Sequence, residues 1–414
     1  MRIALLAAGS RGDYQPVLAV ARGLAGRGHD VGVTATSDFV GMVRAAGVRP
    51  EEVAVDAMGY YRDDALQQGM PIGLEAQMEL LRDVARVLAP AVRAAMTDLL
   101  PRYDALVTTA MTSAWAGMVG GPRKPQVLMM FVPAIPSVWG DSSLFSVRAD
   151  RSVHNLVAGV RALGPAMRLA SADPAATWRE RLRGLHQLAG APAFVANSAQ
   201  IVTPRRVSGR LVRTTGYPFR DLPEDSALPE PVVRFLDAGA PPVYVGLGSH
   251  TVPAVREAMR HTVDAAVTIG HRAVVQRGSG LEDEEGYGDG YGDGYGDQVL
   301  FVGDVPHELL FPRAAAVVHH GGAGTTAQAL RAARPQVVMP FTMDQPFFAR
   351  RVHEIGVASA PVPTPQASPE RLRSALESAL HPAVVDRAVE VGRRVGAEDG
   401  VRGAVELIEQ ELGG

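Results

Sequence analysis

Between His319 and Arg351 the chain reads HHGGAGTTAQALRAARPQVVMPFTMDQPFFARR, and this stretch holds residue types that could bind two different chemical groups. An apolar run, Ala314–Val318, enters a glycine-rich turn that opens directly into helix-forming residues. A helix start carries unpaired N–H groups and partial positive charge, which anions occupy. Gly321, Gly322 and Gly324 let the backbone turn sharply and approach a ligand. Thr325 and Thr326 add N–H and hydroxyl donors, and His320 adds a donor that can be neutral or charged. Further on, Asp344 and Gln345 form an acid–amide pair suited to sugar hydroxyls. A diphosphate on one side and hydroxyls on the other describe a nucleotide-sugar pocket. The glycines and threonines alone would also fit an ordinary threonine-capped turn. Asp344, ahead of a proline-containing helix, would also fit a cap. The doubled histidine and the Asp-Gln pair favour the pocket, and His319 reads as a structural residue.

Such a pocket needs a scaffold. The chain has 414 residues, 47% hydrophobic and 21% charged, a normal composition for a globular protein with two or three domains. Its formal net charge of -3 gives no sign of a nucleic-acid binder. With no cysteine, disulfides, zinc-thiolate sites and thiol catalysis are excluded. Positive charge is almost all arginine, with Lys124 the single lysine. The opening MRIALLAAGSRGDYQP reads as a buried strand, not an export signal, because its apolar run is short and lacks a cleavage pattern. No apolar stretch reaches the roughly 20 residues of a membrane span, so a cytoplasmic, soluble protein is expected.

Short β-rich runs alternate with helical patterns in both halves, which predicts parallel sheets covered by helices. Expected strands are Arg2–Ala8, Val31–Ala35, Ala105–Thr109, Val127–Val132 and Phe194–Asn197, then Val243–Gly246, Arg272–Gln276, Val299–Val302, Ala315–His319, Gln336–Met339 and Val357–Ala360. Between the two series, residues 216–242 are rich in proline and turn formers and read as a linker. The expectation is an α/β protein of two doubly wound Rossmann-like domains facing a cleft: 1–215, the linker 216–242, a second domain 243–398, and a C-terminal helix 399–414 that could pack back on the first domain. Ligands bind at the carboxyl ends of strands in such sheets. Residues 282–297 (EDEEGYGDGYGDGYGD) form a low-complexity insert. Asp289, Asp293 and Asp297 offer oxygen ligands for calcium, but an acidic surface loop is the better reading.

Four stretches carry a family resemblance: GSRGDYQP (Gly9–Pro16), VYVGLGS (Val243–Ser249), VGDVPHELLFPRAAAVVHHGGAGTT (Val302–Thr326) and PFTMDQPFFARRV (Pro340–Val352). They resemble the GT-B glycosyltransferases of family 1, particularly sterol 3-beta-glucosyltransferases and bacterial antibiotic and macrolide glycosyltransferases. The resemblance implies that His320, Gly322, Gly324, Thr325 and Ser249 bind the donor diphosphate, and that Asp344 and Gln345 hold the transferred sugar. It implies Asp13 as catalytic base, since the SRGD turn lacks the histidine many members use. From local sequence alone Asp13, standing just before a helix with Pro16 in its first turn, would equally be a cap. Plant-type members carry a glutamate on the ribose where this chain has Gln328, which leaves UDP and dTDP both open. They also stack the base on a tryptophan near Asp304. No aromatic stands there, so base recognition falls to backbone near Val305 or to another side chain. His250, where relatives often have methionine, has no account.

The implied reaction is a single inverting displacement at the anomeric carbon. Fixed N–H groups would stabilise the leaving diphosphate, with no cofactor and no metal; no convincing Asp-x-Asp motif lies outside the insert. Eight of the 14 methionines fall in residues 58–130. Met58, Met78 and Met111 with Trp115, Phe131 and Trp139 read as a pocket for a large hydrophobic acceptor such as a polyketide, macrolide, aromatic or sterol-like compound, or else as core fillers. The expected partners are this acceptor and the nucleotide sugar, with no nucleic acid, in a monomer or homodimer. The rival readings are a non-catalytic nucleotide-sugar-binding partner of another transferase, or another GT-B enzyme such as an epimerase. The turn GSRGD, unlike G-x-G-x-x-G, disfavours a dehydrogenase.

Overall fold

A computed structural model describes residues 1–56, 74–119, 123–133, 157, 173–203, 205–207, 210–248, 253–277, 295–342 and 344–413. The chain divides into two compact units, residues 1–221 with 398–414, and residues 222–397.

In the first unit β1 (Arg2–Leu6) leads to α1 (Arg11–Gly26), β2 (Asp30–Thr36), β3 (Arg49–Val53), α2 (Leu74–Leu99), β4 (Ala105–Thr108), α3 (Ala110–Met118), β5 (Gln126–Met130), α4 (Trp178–Gly190), β6 (Ala193–Val195), β7 (Arg205–Val207) and β8 (Arg210–Thr214). The sheet order is β3-β2-β1-β4-β5-β6-β8-β7, parallel throughout except for β7 against β8. Successive side chains of a strand point to opposite faces. Ile3 and Leu5 therefore enter one core with Val17, Val20 and Leu24 of α1, while Ala4 and Leu6 enter another with Met96, Trp115 and Met118.

In the second unit α5 (Glu230–Asp237) precedes β9 (Val243–Gly246), α6 (Pro253–Thr268), β10 (Ala273–Gln276), β11 (Val299–Val302), α7 (His307–Leu310), β12 (Ala316–His319), α8 (Ala323–Arg331), β13 (Gln336–Val338), α9 (Gln345–Glu354), α10 (Pro369–Ala379) and α11 (Pro382–Gly396). The order β11-β10-β9-β12-β13 is parallel. Winding reverses between β9 and β12, so the carboxyl ends of these two strands form the switch point at which ligands of doubly wound sheets bind. In the first unit the corresponding reversal lies between β1 and β4.

Two boundaries differ from the sequence reading. Residues 216–242 are not all linker: the second unit begins at Leu222, and Val232 and Leu236 of α5 bury in its core. The prolines there include Pro229 and Pro231 at a helix start, a position proline tolerates. Val357–Ala360 forms only a single bridge, Ala358 to Gln336. The last helix, α12 (Gly400–Gly413), belongs to the first unit and lies on α1. Gly23 permits the contact, since a Cβ there would lie 2.7 Å from Val401. Leu407, Ile408 and Leu412 complete the α1-side core, and each such burial contributes about 1.5–3 kcal/mol. Glu409 accepts from Arg27 (2.9 Å) and pairs with His29 (3.1 Å) at its rim.

Candidate functional site

The switch point of the second unit is built on the turn from β12 into α8. Buried His319 ends the strand. Its Nδ1 accepts the Gly321 N–H (3.0 Å) and its Nε2 meets the Gln336 amide oxygen (2.8 Å), so Nε2 carries the proton and the ring is neutral. Burial lowers its pKa to about 4. His319 thus holds the turn from inside. Gly321 sits at φ 95°, the left-handed region glycine tolerates, and a Cβ there would lie 3.0 Å from the Gln345 carbonyl oxygen. The glycine turn and the Asp344–Gln345 turn are therefore in direct contact.

His320 lies between two more glycines. A Cβ at Gly322 would approach its Nε2 to 2.6 Å, and one at Gly248, beyond β9, its Cε1 to 3.2 Å. The imidazole fills space that any side chain at either position would take. Gly322 is the N-cap of α8 and supplies no side-chain cap. The helix ladder starts with Thr326 N–H to Gly322 C=O at 2.9 Å, so the N–H groups of Ala323, Gly324 and Thr325 have no helical acceptor. This narrows the sequence reading. The Thr326 N–H is committed to the helix, and its buried hydroxyl makes no hydrogen bond. Thr325 stays partly exposed.

Asp344 is the N-cap residue of α9, but its side chain makes no cap hydrogen bond, so the cap alternative does not account for it. Gln345 is buried. Its Oε1 accepts the N–H groups of Phe341 (2.7 Å) and Thr342 (2.9 Å), which leaves the amide nitrogen as its donor. Gln328 is nearly buried on α8, and its side-chain amide makes no hydrogen bond among the described residues. The Val305 side chain is in the core, while its N–H and C=O make no hydrogen bond among the described residues. Ser249 and His250 lie outside the described residues.

In the first unit, Asp13 sits at the corresponding place, beyond the carboxyl end of β1. It is not ahead of the helix but inside its first turn: Ser10 is the N-cap and Asp13 the third residue of α1. Asp13 Oδ2 accepts the Ser10 N–H (2.8 Å) and hydroxyl (3.0 Å), a capping box. Both bonds fall on one oxygen, and Oδ1 is left unengaged among the described residues. Gly9, at φ 127°, makes room, because a Cβ there would lie 2.3 Å from Oδ2. Burial pushes the carboxyl above the ordinary aspartate value, and the two Ser10 bonds pull it part of the way back. Across the switch point, Thr112 donates to the Leu6 carbonyl (2.8 Å) and closes the start of α3.

Of the methionine–aromatic grouping, the structure describes the side chains of Trp115 and Phe131. Trp115 packs with Met96 and Met118 on one face of the sheet, and Phe131 packs against the core on the other face. Phe131 continues the alternation of Val127 and Met129, which turns it away from Trp115. Trp115 and Phe131 thus serve cores on opposite faces of the sheet. Met58 and Trp139 lie outside the described residues, and of Met78 and Met111 only the backbone, in α2 and α3, is described. Of the insert, the described part is Tyr295–Asp297, where the Tyr295 hydroxyl donates to Asp264. Among the described residues no His, Cys, Asp and Glu cluster could hold a metal, and no helix is long and apolar enough to cross a membrane.

The family of erythromycin biosynthesis protein CIII-like C-terminal domains matches residues 294–398, the stretch that holds both site turns. Over 445 residues the chain is 31% identical to O-mycaminosyltylonolide 6-deoxyallosyltransferase of Streptomyces fradiae, covering 99% of this chain and 97% of that one. The protein is a family 1 GT-B glycosyltransferase. This glycosyltransferase is also 29% identical over 436 residues to a sterol 3-beta-glucosyltransferase of Arabidopsis thaliana, covering all of its own length and 68% of the relative. Its fold is that of the glycosyltransferase VinC, solved in complex with dTDP, at TM-score 0.64 and 21% identity over the full length of both chains.

One polar group escaped the sequence reading: Tyr244, Gln276 and His307, joined at the carboxyl ends of β9 and β10 and the start of α7. The available signal was Gln276, a polar residue closing an apolar strand where parallel sheets bind ligands; Tyr244, second in VYVG, gave none.

Proposed function

We propose that this glycosyltransferase moves a sugar from a UDP- or dTDP-sugar to a hydroxyl of a hydrophobic natural product, by one inverting displacement without a metal. The observation that carries the reading is the uncapped start of α8. Three N–H groups there have no acceptor among the described residues, and His320 is wedged beside them by Gly248 and Gly322. Charge that develops on a departing diphosphate would meet fixed donors, which lowers the barrier more than it strengthens substrate binding. Asp344 and the Gln345 amide nitrogen would hold sugar hydroxyls beside it, and Gln328 with the Val305 backbone would meet the nucleoside.

The acceptor hydroxyl attacks the anomeric carbon, the bond from that carbon to the phosphate oxygen breaks, and the nucleoside diphosphate leaves. The hydroxyl proton passes to Asp13, whose Oδ1 is unengaged while Oδ2 serves the helix. A raised pKa makes this carboxylate a better base than a free one. The names of relatives acting on sterols and on a tylonolide support a bulky apolar acceptor. The VinC complex supports a thymidine donor alongside the uridine alternative.

A thermal-shift screen of UDP- and dTDP-sugars tests the reading. One nucleotide series should raise the melting temperature, and His320→Ala with Asp344→Ala should abolish the shift. Retention of the full shift and of turnover by that double variant would refute the donor site.

A further inference from the structure

The nucleoside end of the proposed site rests on a turn with little backbone support. Residues 303–306 join β11 to α7, and the Val305 N–H and C=O make no hydrogen bond among the described residues. The helix that follows has only four residues and is too short to be rigid by itself. What fixes the turn lies beneath it. The Val305 side chain is in the core, and two residues on, the His307 ring stacks on Phe311 at 4.4 Å and 16°. His307 Nε2 lies 2.9 Å from the Tyr244 hydroxyl and 3.0 Å from Gln276 Oε1.

The hydrogens of this cluster can be assigned. The Tyr244 hydroxyl donates to Gln276 Oε1, so its proton is used. The remaining phenol lone pairs and the amide oxygen can only accept, and His307 Nε2 must therefore be the donor to both. The ring is fixed in one tautomer and one orientation. Tyr244 reaches the cluster by leaning along its own strand over Gly246, where a Cβ would lie 2.2 Å from its hydroxyl. Gly246 is the residue that gives this hydroxyl its place.

We infer that Tyr244, Gln276 and His307 form a positioning device that sets the Val305 peptide edge for reading a pyrimidine-2,4-dione base. This rests on the donor-site reading above. A peptide edge offers one donor and one acceptor, and uracil and thymine answer with a ring carbonyl and the N3–H. Matching both requires the edge to be placed to a fraction of an ångström, and its own backbone bonds do not place it. None of the three residues need touch the ligand.

The test is isothermal titration of wild type and Tyr244→Phe with dTDP, UDP and ribose 5-diphosphate, which has no base. In Tyr244→Phe, affinity for the tighter of dTDP and UDP should fall about tenfold, the scale of one lost hydrogen bond, with ribose 5-diphosphate unchanged. Gln276→Met keeps the volume, loses the carbonyl and should give the same selective loss. It carries the test if Tyr244→Phe does not fold. His307→Gln, which retains an N–H donor, should recover most of the affinity. Equal losses for dTDP and ribose 5-diphosphate, or no loss for either, would overturn the positioning role. Failure of wild type to bind dTDP or UDP at all would remove the donor-site reading and this inference together.

Discussion

The two units carry the same device at their switch points and finish it in opposite ways. In each, a central strand runs through a glycine at positive φ (Gly9, Gly321) into a helix whose first N–H groups have no ladder partner. At Ser10–Asp13 the chain supplies its own anion: a carboxylate folds back on the N-cap serine and caps the turn. At Gly322–Thr325 it supplies none, and a glycine takes the cap position. A capped helix start keeps a carboxylate in place. An uncapped one is free to receive an anion from outside. The difference turns on one side chain, and it underlies the proposal of a resident acid in one unit and a visiting diphosphate in the other.

The largest effect should come from removing the acid without removing the cap. Asp13→Asn keeps an oxygen for Ser10 and puts an NH2 group where Oδ1 was. Turnover should fall about 10²–10⁴-fold, measured as initial rate at saturating donor and acceptor. The wild-type rate should rise with pH through a step above the ordinary carboxylate range, and the variant should lack that step. The stability change has a defined sign. The folded-state pKa is raised, so the contribution of the protonated carboxyl is fully present below the unfolded value and is lost as pH rises. Asp13→Asn should therefore melt no lower than wild type near neutral pH, with any gain fading in acid. A variant of near wild-type activity would reduce Asp13 to a cap and end the contrast.

A smaller effect should follow from crowding the open turn. Gly322→Ala places a methyl 2.6 Å from His320 Nε2 and must move the imidazole. Affinity for the preferred nucleoside diphosphate should drop about 10–100-fold by titration, with little change in melting temperature. Unchanged affinity would mean that the imidazole does not face the phosphates. The smallest effect should come from Ser10→Ala, which removes one of the two Asp13 bonds and costs about 1 kcal/mol of stability in denaturant unfolding. It should also move the acidic step in the rate profile further upward, because a bond that lowers the carboxyl pKa is gone. A downward move would contradict the assignment of that step to Asp13.

The interior strands were legible because strands buried on both faces read as unbroken apolar runs. The interior strand Val243–Gly246 has the same limits in sequence and structure, and so does the edge strand Val299–Val302, whose residues VLFV are all apolar. The charged strands at the two margins of the first sheet were not legible: the edges β3 (RPEEV) and β7 (RRV), and β8 (RLVRT) beside β7, mix arginine and glutamate with few apolar residues, as edges of sheets tend to do. The start of α1 was misplaced because Pro16 suggested a first turn. It is in fact the sixth residue of the helix, and the Ser10–Asp13 spacing was the better signal. The glycine–threonine and Asp-Gln turns are local and could be read directly. The Tyr244 cluster could not, since its members lie 31 to 63 residues apart and meet only through strand order.

The return of α12 to the first unit sets an order of assembly. The second unit is one continuous stretch, residues 222–397, and leaves the ribosome without interruption. The first unit is translated before the second but lacks Leu407, Ile408 and Leu412 until the stretch that follows residue 397 is made. Its side of β1 and α1 must wait, partly uncovered, through the synthesis of the whole second unit. Vectorial folding is thus inverted here, and nascent chains stalled between residues 222 and 397 are where chaperone engagement should be greatest.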